Sequence, residues 1–230
     1  SHANVHHFIR PIQLCLTVSA LLLFLSASIH AAQDVVLRLD PGGHTSLIKK
    51  LLVTASYDKT IRVWNPKTGR EERKILGQIG PSSDGKIYSI TLSPDGKLLA
   101  SGGFLAQGFG VDDDKVGHIR LHDFQSGELL QIMKGHENVV TDLSFSPDGR
   151  WLASSSQDNN VRLRKRSGSS FSAGAVLRGH ENYVYAVRLF EDSGRLRVVS
   201  ASLDHTVRLW DAESGRQLSL GRHDDDVDSL

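Results

Sequence analysis

The chain has 230 residues, 39% of them hydrophobic, with 27 Lys and Arg against 26 Asp and Glu and a single Cys. That apolar content can bury a core and excludes wholesale disorder, while a net charge of +1 lacks the concentrated positive field of most nucleic-acid binders. One cysteine excludes a disulfide scaffold and any multi-cysteine zinc site.

Residues 1–32 read as an address. His6, His7 and Arg10 precede an uncharged run from Pro11 to Gln33 with its apolar heart at Leu14 to Leu25, followed by Ser26-Ala27-Ser28-Ile29-His30-Ala31-Ala32. A positive start, a short apolar stretch and a small-residue exit are the parts of a secretory signal peptide, here a helix cleaved near Ala31 or Ala32. The location implied is exported, periplasmic or extracellular. The alternative is an uncleaved N-terminal anchor, the one membrane contact expected. Ser26, Ser28 and His30 cut into the roughly 20 apolar residues such a span needs.

A repeat governs residues 33–230. Gly-His pairs stand at Gly43-His44, Gly135-His136 and Gly179-His180, with a variant at Gly221-Arg222-His223. His136, His180 and His223 are 44 and 43 residues apart, and His44 lies 92 before His136. An apolar-Arg-apolar triplet recurs at Ile61-Arg62-Val63, Ile119-Arg120-Leu121, Val161-Arg162-Leu163 and Val207-Arg208-Leu209. Such period-two alternation buries one face of a strand. Turns follow at Gly69, Gly127, Gly168 and Gly215, and Ser-Pro-Asp-Gly turns stand at Ser93 to Gly96 and Ser146 to Gly149. Several strands per period without a helical pattern imply an all-β architecture.

These residues resemble WD40 repeats. Ser200-Ala201-Ser202-Leu203-Asp204-His205-Thr206-Val207-Arg208-Leu209-Trp210-Asp211 is the best match, and Ser56-Tyr57-Asp58-Lys59-Thr60-Ile61-Arg62-Val63-Trp64-Asn65 is nearly as good. The resemblance implies an all-β, WD40-type β-propeller of four-stranded antiparallel blades. It is expected to be incomplete, with units at about 34–75, 76–133, 134–177 and 178–220 and the start of a fifth at 221–230. A bacterial-type, exported protein of which this is the N-terminal part is the expectation; an open arc that oligomerises and a small propeller are the alternatives.

The resemblance also implies that His, Ser or Thr, Asp and Trp of each blade form a buried hydrogen-bonded chain, which fixes blade geometry when complete. The first set is His44, Thr54, Asp58 and Trp64, and the fourth is His180, Ser200, Asp204 and Trp210. The third has His136, Ser154 and Asp158, with Arg164 in place of Trp. The second has Ser101 and places His122 in the Trp column. These groups are structural; no metal site, cofactor or catalytic residue is expected among them.

Three departures stand out. His44 to Thr54 spans 10 residues, against 18 and 20 in the third and fourth units, so the first blade is expected to lack a strand or its hairpin. Asp34 to Leu39 reads as an outer strand, of the kind that in the family completes the last blade. The second unit carries an insertion within Phe104 to Lys115, where Phe104 and Phe109 beside Asp112, Asp113 and Asp114 offer apolar anchors with an acidic rim; a plain solvated loop is the alternative.

Catalytic motifs are near misses. Gly80 to Lys86 has P-loop spacing, but Ile87 stands where Ser or Thr should meet magnesium, and a strand follows where a helix is needed. An EF-hand-like spacing at Asp112 fails at Val116. Arg162, Arg164, Lys165 and Arg166 read as a solvated strand edge. The function expected is a non-catalytic scaffold that binds a protein or peptide, with no nucleic acid. In the family the residue before the turn Asp often faces partners, which singles out Tyr57, Gln157 and Leu203; Tyr183 is a further aromatic anchor. The alternative is an N-terminal targeting module of a larger enzyme, such as a caspase-like peptidase or kinase, with its catalytic domain beyond residue 230.

Overall fold

Apolar residues alternating with Ser, Thr and Arg give short strands punctuated by Gly, Asn and Asp turns. A computed structural model describes the backbone of residues 35–38 and all of 52–77, 85–105 and 116–224. Among them there is no helix, and the strands form four antiparallel sheets of four, each in chain order. The first sheet is β1 (Val35–Arg38), β2 (Leu52–Ser56), β3 (Thr60–Trp64) and β4 (Glu71–Leu76). The second is β5 (Ile87–Leu92), β6 (Leu98–Gly103), β7 (Gly117–Asp123) and β8 (Leu129–His136). The third is β9 (Val140–Phe145), β10 (Trp151–Ser156), β11 (Val161–Ser167) and β12 (Ser170–Leu177). The fourth is β13 (Val184–Asp192), β14 (Arg195–Ser202), β15 (Thr206–Asp211) and β16 (Gln217–Arg222).

The sheets stack through alternating faces. Val53, Ile61, Val63 and Ile75 of the first sheet bury themselves against Ile87, Ile90 and Leu99 of the second. Ala100, Ile119, Leu121 and Met133 of the second meet Val140, Leu143, Leu152 and Phe171 of the third. Ala153, Val161, Leu163 and Leu177 of the third meet Val187, Val198 and Trp210 of the fourth. Each sheet therefore has a forward face, turned to the next sheet, and a rear face, turned to the previous one. The approach is close: a Cβ on Gly102 would lie 2.6 Å from Val140 Cγ1.

The first strands of the sheets lie side by side, β1 by β5, β5 by β9 and β9 by β13. Buried Asp142 on β9 ties three of them together. It accepts from Ser89 Oγ on β5 at 3.0 Å and from the Val187 amide on β13 at 3.1 Å, and it pairs with Arg188. Ser144 Oγ accepts from the Leu189 amide at 3.1 Å.

Two expectations are corrected. The first sheet lacks no strand: β1 pairs with β2 from Val35↔Ser56 to Arg38↔Val53 and takes the place that β5, β9 and β13 hold elsewhere. The nine residues between His44 and Thr54 are too few for two strands, and the upstream segment, expected as an outer strand, supplies the ladder instead. Gly221 and Arg222, expected to open a fifth unit, end β16 and extend its ladder through Val207↔Gly221 and Thr206↔Arg222. Gly135-His136 likewise ends β8. Gly179-His180 lies just past β12. The proposed signal helix, His44, Phe109, Asp112, Asp113 and Asp114 lie outside the described residues, as does 225–230.

Candidate functional site

One end of the sheets is built from the turn after each second strand and the connection that enters each first strand. Three of those turns, in the first, third and fourth sheets, share one chemistry. A Ser two residues before the turn Asp accepts its amide: Ser56 from Asp58 at 3.1 Å, Ser156 from Asp158 at 3.1 Å, and Ser202 from Asp204 at 3.0 Å. The Asp then accepts the amide two residues on, from Thr60, Asn160 and Thr206, each at 3.0 Å. The residue between sits in the left-handed region, Lys59 at φ 69°, Asn159 at 66° and His205 at 63°. Local side-chain-to-backbone bonds of this kind offset a conformation that disfavours L residues.

Behind the turns stand the buried polar sets. In the fourth sheet His180 Nδ1 faces Asp204 Oδ2 at 2.9 Å and its Nε2 faces Ser200 Oγ at 2.8 Å, while Trp210 Nε1 donates to Ser200 Oγ at 2.9 Å. A carboxylate only accepts, so Nδ1 carries the proton, Nε2 accepts from Ser200, and Ser200 accepts from Trp210. Each of these polar groups is satisfied. Burial lowers the His180 pKa despite Asp204, leaving the imidazole neutral. Burial raises the Asp204 carboxyl, but the Thr206 hydroxyl, the Glu181 amide and His180 outweigh it and hold the group well below the usual carboxylate range.

The third sheet repeats this with one exchange. His136 lies 2.8 Å from both Asp158 Oδ2 and Ser154 Oγ. Arg164 fills the Trp column, donating from Nη1 to Ser154 Oγ at 2.9 Å and from Nη2 to the Lys134 carbonyl at 3.0 Å. It is 4% exposed, and burial with Arg162 nearby lowers its pKa to about 10. The expected solvated basic edge is therefore wrong for Arg164, because its alternation places it on the rear face. Arg166 instead pairs with Asp95 at 3.1 Å and Lys165 is exposed. In the first sheet Trp64 Nε1 donates to Thr54 Oγ1 at 2.8 Å, and Asp58 binds the Thr60 hydroxyl at 2.6 Å and Arg62 at 3.0 Å. In the second, Ser101 and His122 are buried, but His122 Nδ1 has no hydrogen-bond partner among the described residues, and burial, with Arg120 nearby, lowers its pKa to about 4.

The groups that face outward at this end are aromatic. Tyr57, in the first turn, stacks edge-on with Tyr88 of β5, ring centroids 4.8 Å apart, and Lys86 Nζ sits 5.2 Å from the Tyr57 centroid. Tyr183 is 38% exposed and lies edge-on to Tyr185, at 6.4 Å. Gln157 and Leu203 are half-buried; their amides bond to the Val139 and Tyr183 carbonyls, which closes each turn onto the preceding connection. Phe104, also half-buried, is bonded through its backbone to Gly85 and Lys86. Tyr57 and Tyr183 belong to different sheets, so they form two aromatic clusters rather than one. Among the described residues no group of three or more His, Cys, Asp or Glu is arranged to hold a metal ion.

The repeat family described as WD domain, G-beta repeat matches residues 30–65, 73–107, 127–164 and 172–211. The chain belongs to the WD40 repeat family. Its WD40 repeats are 32% identical over 165 residues to the Target of rapamycin complex subunit wat1 of Schizosaccharomyces pombe, covering 70% of this chain and 45% of that protein. Nuclear distribution protein PAC1 of Coccidioides posadasii is 31% identical over 182 residues, 70% of this chain and 34% of that protein. The Target of rapamycin complex subunit LST8 of Saccharomyces cerevisiae is 31% identical over 115 residues, 49% of this chain and 32% of that protein. The chain thus spans less than half the length of these relatives. They are fungal and give the expected bacterial type no support.

Sequence reasoning missed Thr60, Asn160 and Thr206, and the serines Ser56, Ser156 and Ser202. Their signal was present, since each stands two residues from a turn Asp. Tyr88, Lys86 and Tyr185 carried no such pattern; they are found only when the sheets are packed together.

Proposed function

We propose that this WD40 array is a non-catalytic scaffold that holds a protein or peptide against the end carrying Tyr57, Tyr88 and Tyr183. The observation that carries the reading is the Tyr57–Tyr88 pair with Lys86 over its ring. These are rigid apolar rings with polar tips, Tyr57 on a turn locked from beneath and Tyr88 on β5, and such groups anchor interfaces at low entropic cost. Tyr183, Gln157, Leu203 and Phe104 extend the contact surface. The His136 and His180 sets are internal props in this reading, since each imidazole is committed on both nitrogens. Two relatives are named as subunits of a complex, which supports a role in assembly with other proteins. Export through residues 1–32 belongs to the same reading and is tested by N-terminal sequencing of the secreted chain.

The experiment is selection of peptides from a random displayed library, followed by calorimetric titration. Tyr57→Ala and Tyr183→Ala should each weaken a selected peptide by about tenfold or more. Leu130→Ala, on the outer strand β8, should leave it unchanged. Binding that ignores both tyrosines contradicts the proposal.

A further inference from the structure

The first, third and fourth sheets carry an arginine at one place on the third strand, Arg62, Arg162 and Arg208, and the first and last of these are paired. Arg62 Nη1 donates to Glu71 at 3.0 Å and its Nε to the Thr60 hydroxyl at 3.3 Å. Arg208 repeats this with Gln217 at 2.8 Å and Thr206 at 3.4 Å. In the third sheet both partners are exchanged. Asn160 replaces the threonine and commits its side-chain amide to Asp158. Ala173, opposite Arg164, stands where Glu71 is opposite Trp64 and Gln217 opposite Trp210. Asp158, the acid nearest in sequence, is held by His136 and by the Glu137 and Asn160 amides. Among the described residues Arg162 forms no ion pair, and its Nε is buried without a hydrogen-bond partner.

The exchange leaves two guanidinium groups on one face of β11, Arg162 and Arg164, two residues apart. Both line a shallow cleft together with Lys134, Ala173 and Gly174. Arg162 lies close over Gly135 of β8, where a Cβ would come within 3.3 Å of its Nη1. Like charges so placed repel, the more so because Arg164 is buried. The cleft offers about 20 Å³, room for one water-sized group, and opens to solvent. We infer that this cleft binds a phosphate group, with one oxygen entering beside Arg162 and Arg164 and the rest of the group at the mouth. Guanidinium forks match phosphate oxygens, and a dianion offsets both charges. The site belongs to β8, β11 and β12 and is separate from the tyrosine-bearing end.

Inorganic phosphate titrated into the isotope-labelled full chain tests this by heteronuclear NMR, with sodium chloride holding the ionic strength constant. The Nε–Hε signals of Arg162 and Arg164 and the amides of Gly135 and Gly174 should shift together and saturate, with a Kd on the order of 1 mM. Ala173→Glu supplies the carboxylate that Glu71 supplies in the first sheet, and Arg162→Gln removes one cation; each should weaken phosphate at least tenfold. Circular dichroism shows whether each variant keeps its sheets, and the wild-type titration decides by itself if neither does. N-acetyl-phosphoserine separates the two sources of the group: shifts of the same signals point to a phosphorylated side chain of a partner, and its exclusion points to free phosphate. Wild-type signals that do not move, shifts that chloride alone reproduces, or undiminished affinity in either folded variant would overturn the inference.

Discussion

Arg164 Nη1 donates to Ser154 Oγ at 2.9 Å, the distance at which Trp210 Nε1 donates to Ser200 Oγ one sheet later. Two unlike side chains thus satisfy one acceptor. The indole does so without charge, whereas the guanidinium is buried with no ion pair to a carboxylate among the described residues, and its pKa falls to about 10 for that reason.

Arg164→Trp should therefore raise stability, by about 1–2 kcal/mol, because it removes a desolvated cation and keeps the bond to Ser154. The exchange gives up the bond from Nη2 to the Lys134 carbonyl, which offsets part of that gain. Arg164→Ala should cost about 2–4 kcal/mol, through lost packing, one lost donor to Ser154 and an orphaned Lys134 carbonyl. Thermal melts of the two variants check both signs.

Asp204→Ala removes the acceptor shared by His180, Thr206 and the Glu181 amide. The expected cost is about 1–3 kcal/mol, read as a lower urea midpoint. An unchanged midpoint contradicts the role given to the His180 set.

The histidines set a pH dependence. His122, His136 and His180 all have lowered pKa values, so each stays neutral in the fold while its unfolded counterpart takes up a proton near pH 6.5. Stability is then fully present above about pH 6.5 and declines as pH falls. For His122 the decline runs to about pH 4 and is on the order of 3 kcal/mol. Asp158 and Asp204 add a further loss below their unfolded value near 3.8. Urea unfolding from pH 8 to pH 4 measures the slope, which His122→Phe should flatten.

Asp142 joins β5, β9 and β13. Asp142→Ala leaves the Val187 amide, Ser89 and Arg188 without it and should cost about 2–3 kcal/mol. Asp142→Asn, which keeps one carbonyl acceptor, should cost less. Chemical denaturation of the pair separates the two.

Much of the fold was legible because alternation and turn chemistry are local. The triplets at Ile61, Ile119, Val161 and Val207 each start or fill a third strand, as the period-two pattern requires. Register between segments was not legible. The resemblance grouped His136 with Ser154 and Asp158, but nothing near His136 says that it ends β8, in the sheet before theirs. Nor does the short stretch before Thr54 show that a ladder partner comes from Val35 to Arg38. The candidate site divides the same way. Tyr57 and Tyr183 stand out beside recurrent turns, whereas Tyr88 and Lys86 become relevant only once β5 packs beside the first turn.

The most direct measurement is hydrogen exchange of the full chain with and without a peptide selected on it. Protection should concentrate at Tyr57 to Lys59, Lys86 to Tyr88, Gln157 to Asn159 and Tyr183 to Tyr185. The opposite turns, at Pro94 to Gly96, Pro147 to Gly149 and Ser193 to Gly194, should exchange as before. Protection confined to those opposite turns, or to the outer strands β4, β8, β12 and β16, would contradict a binding end built on the tyrosines.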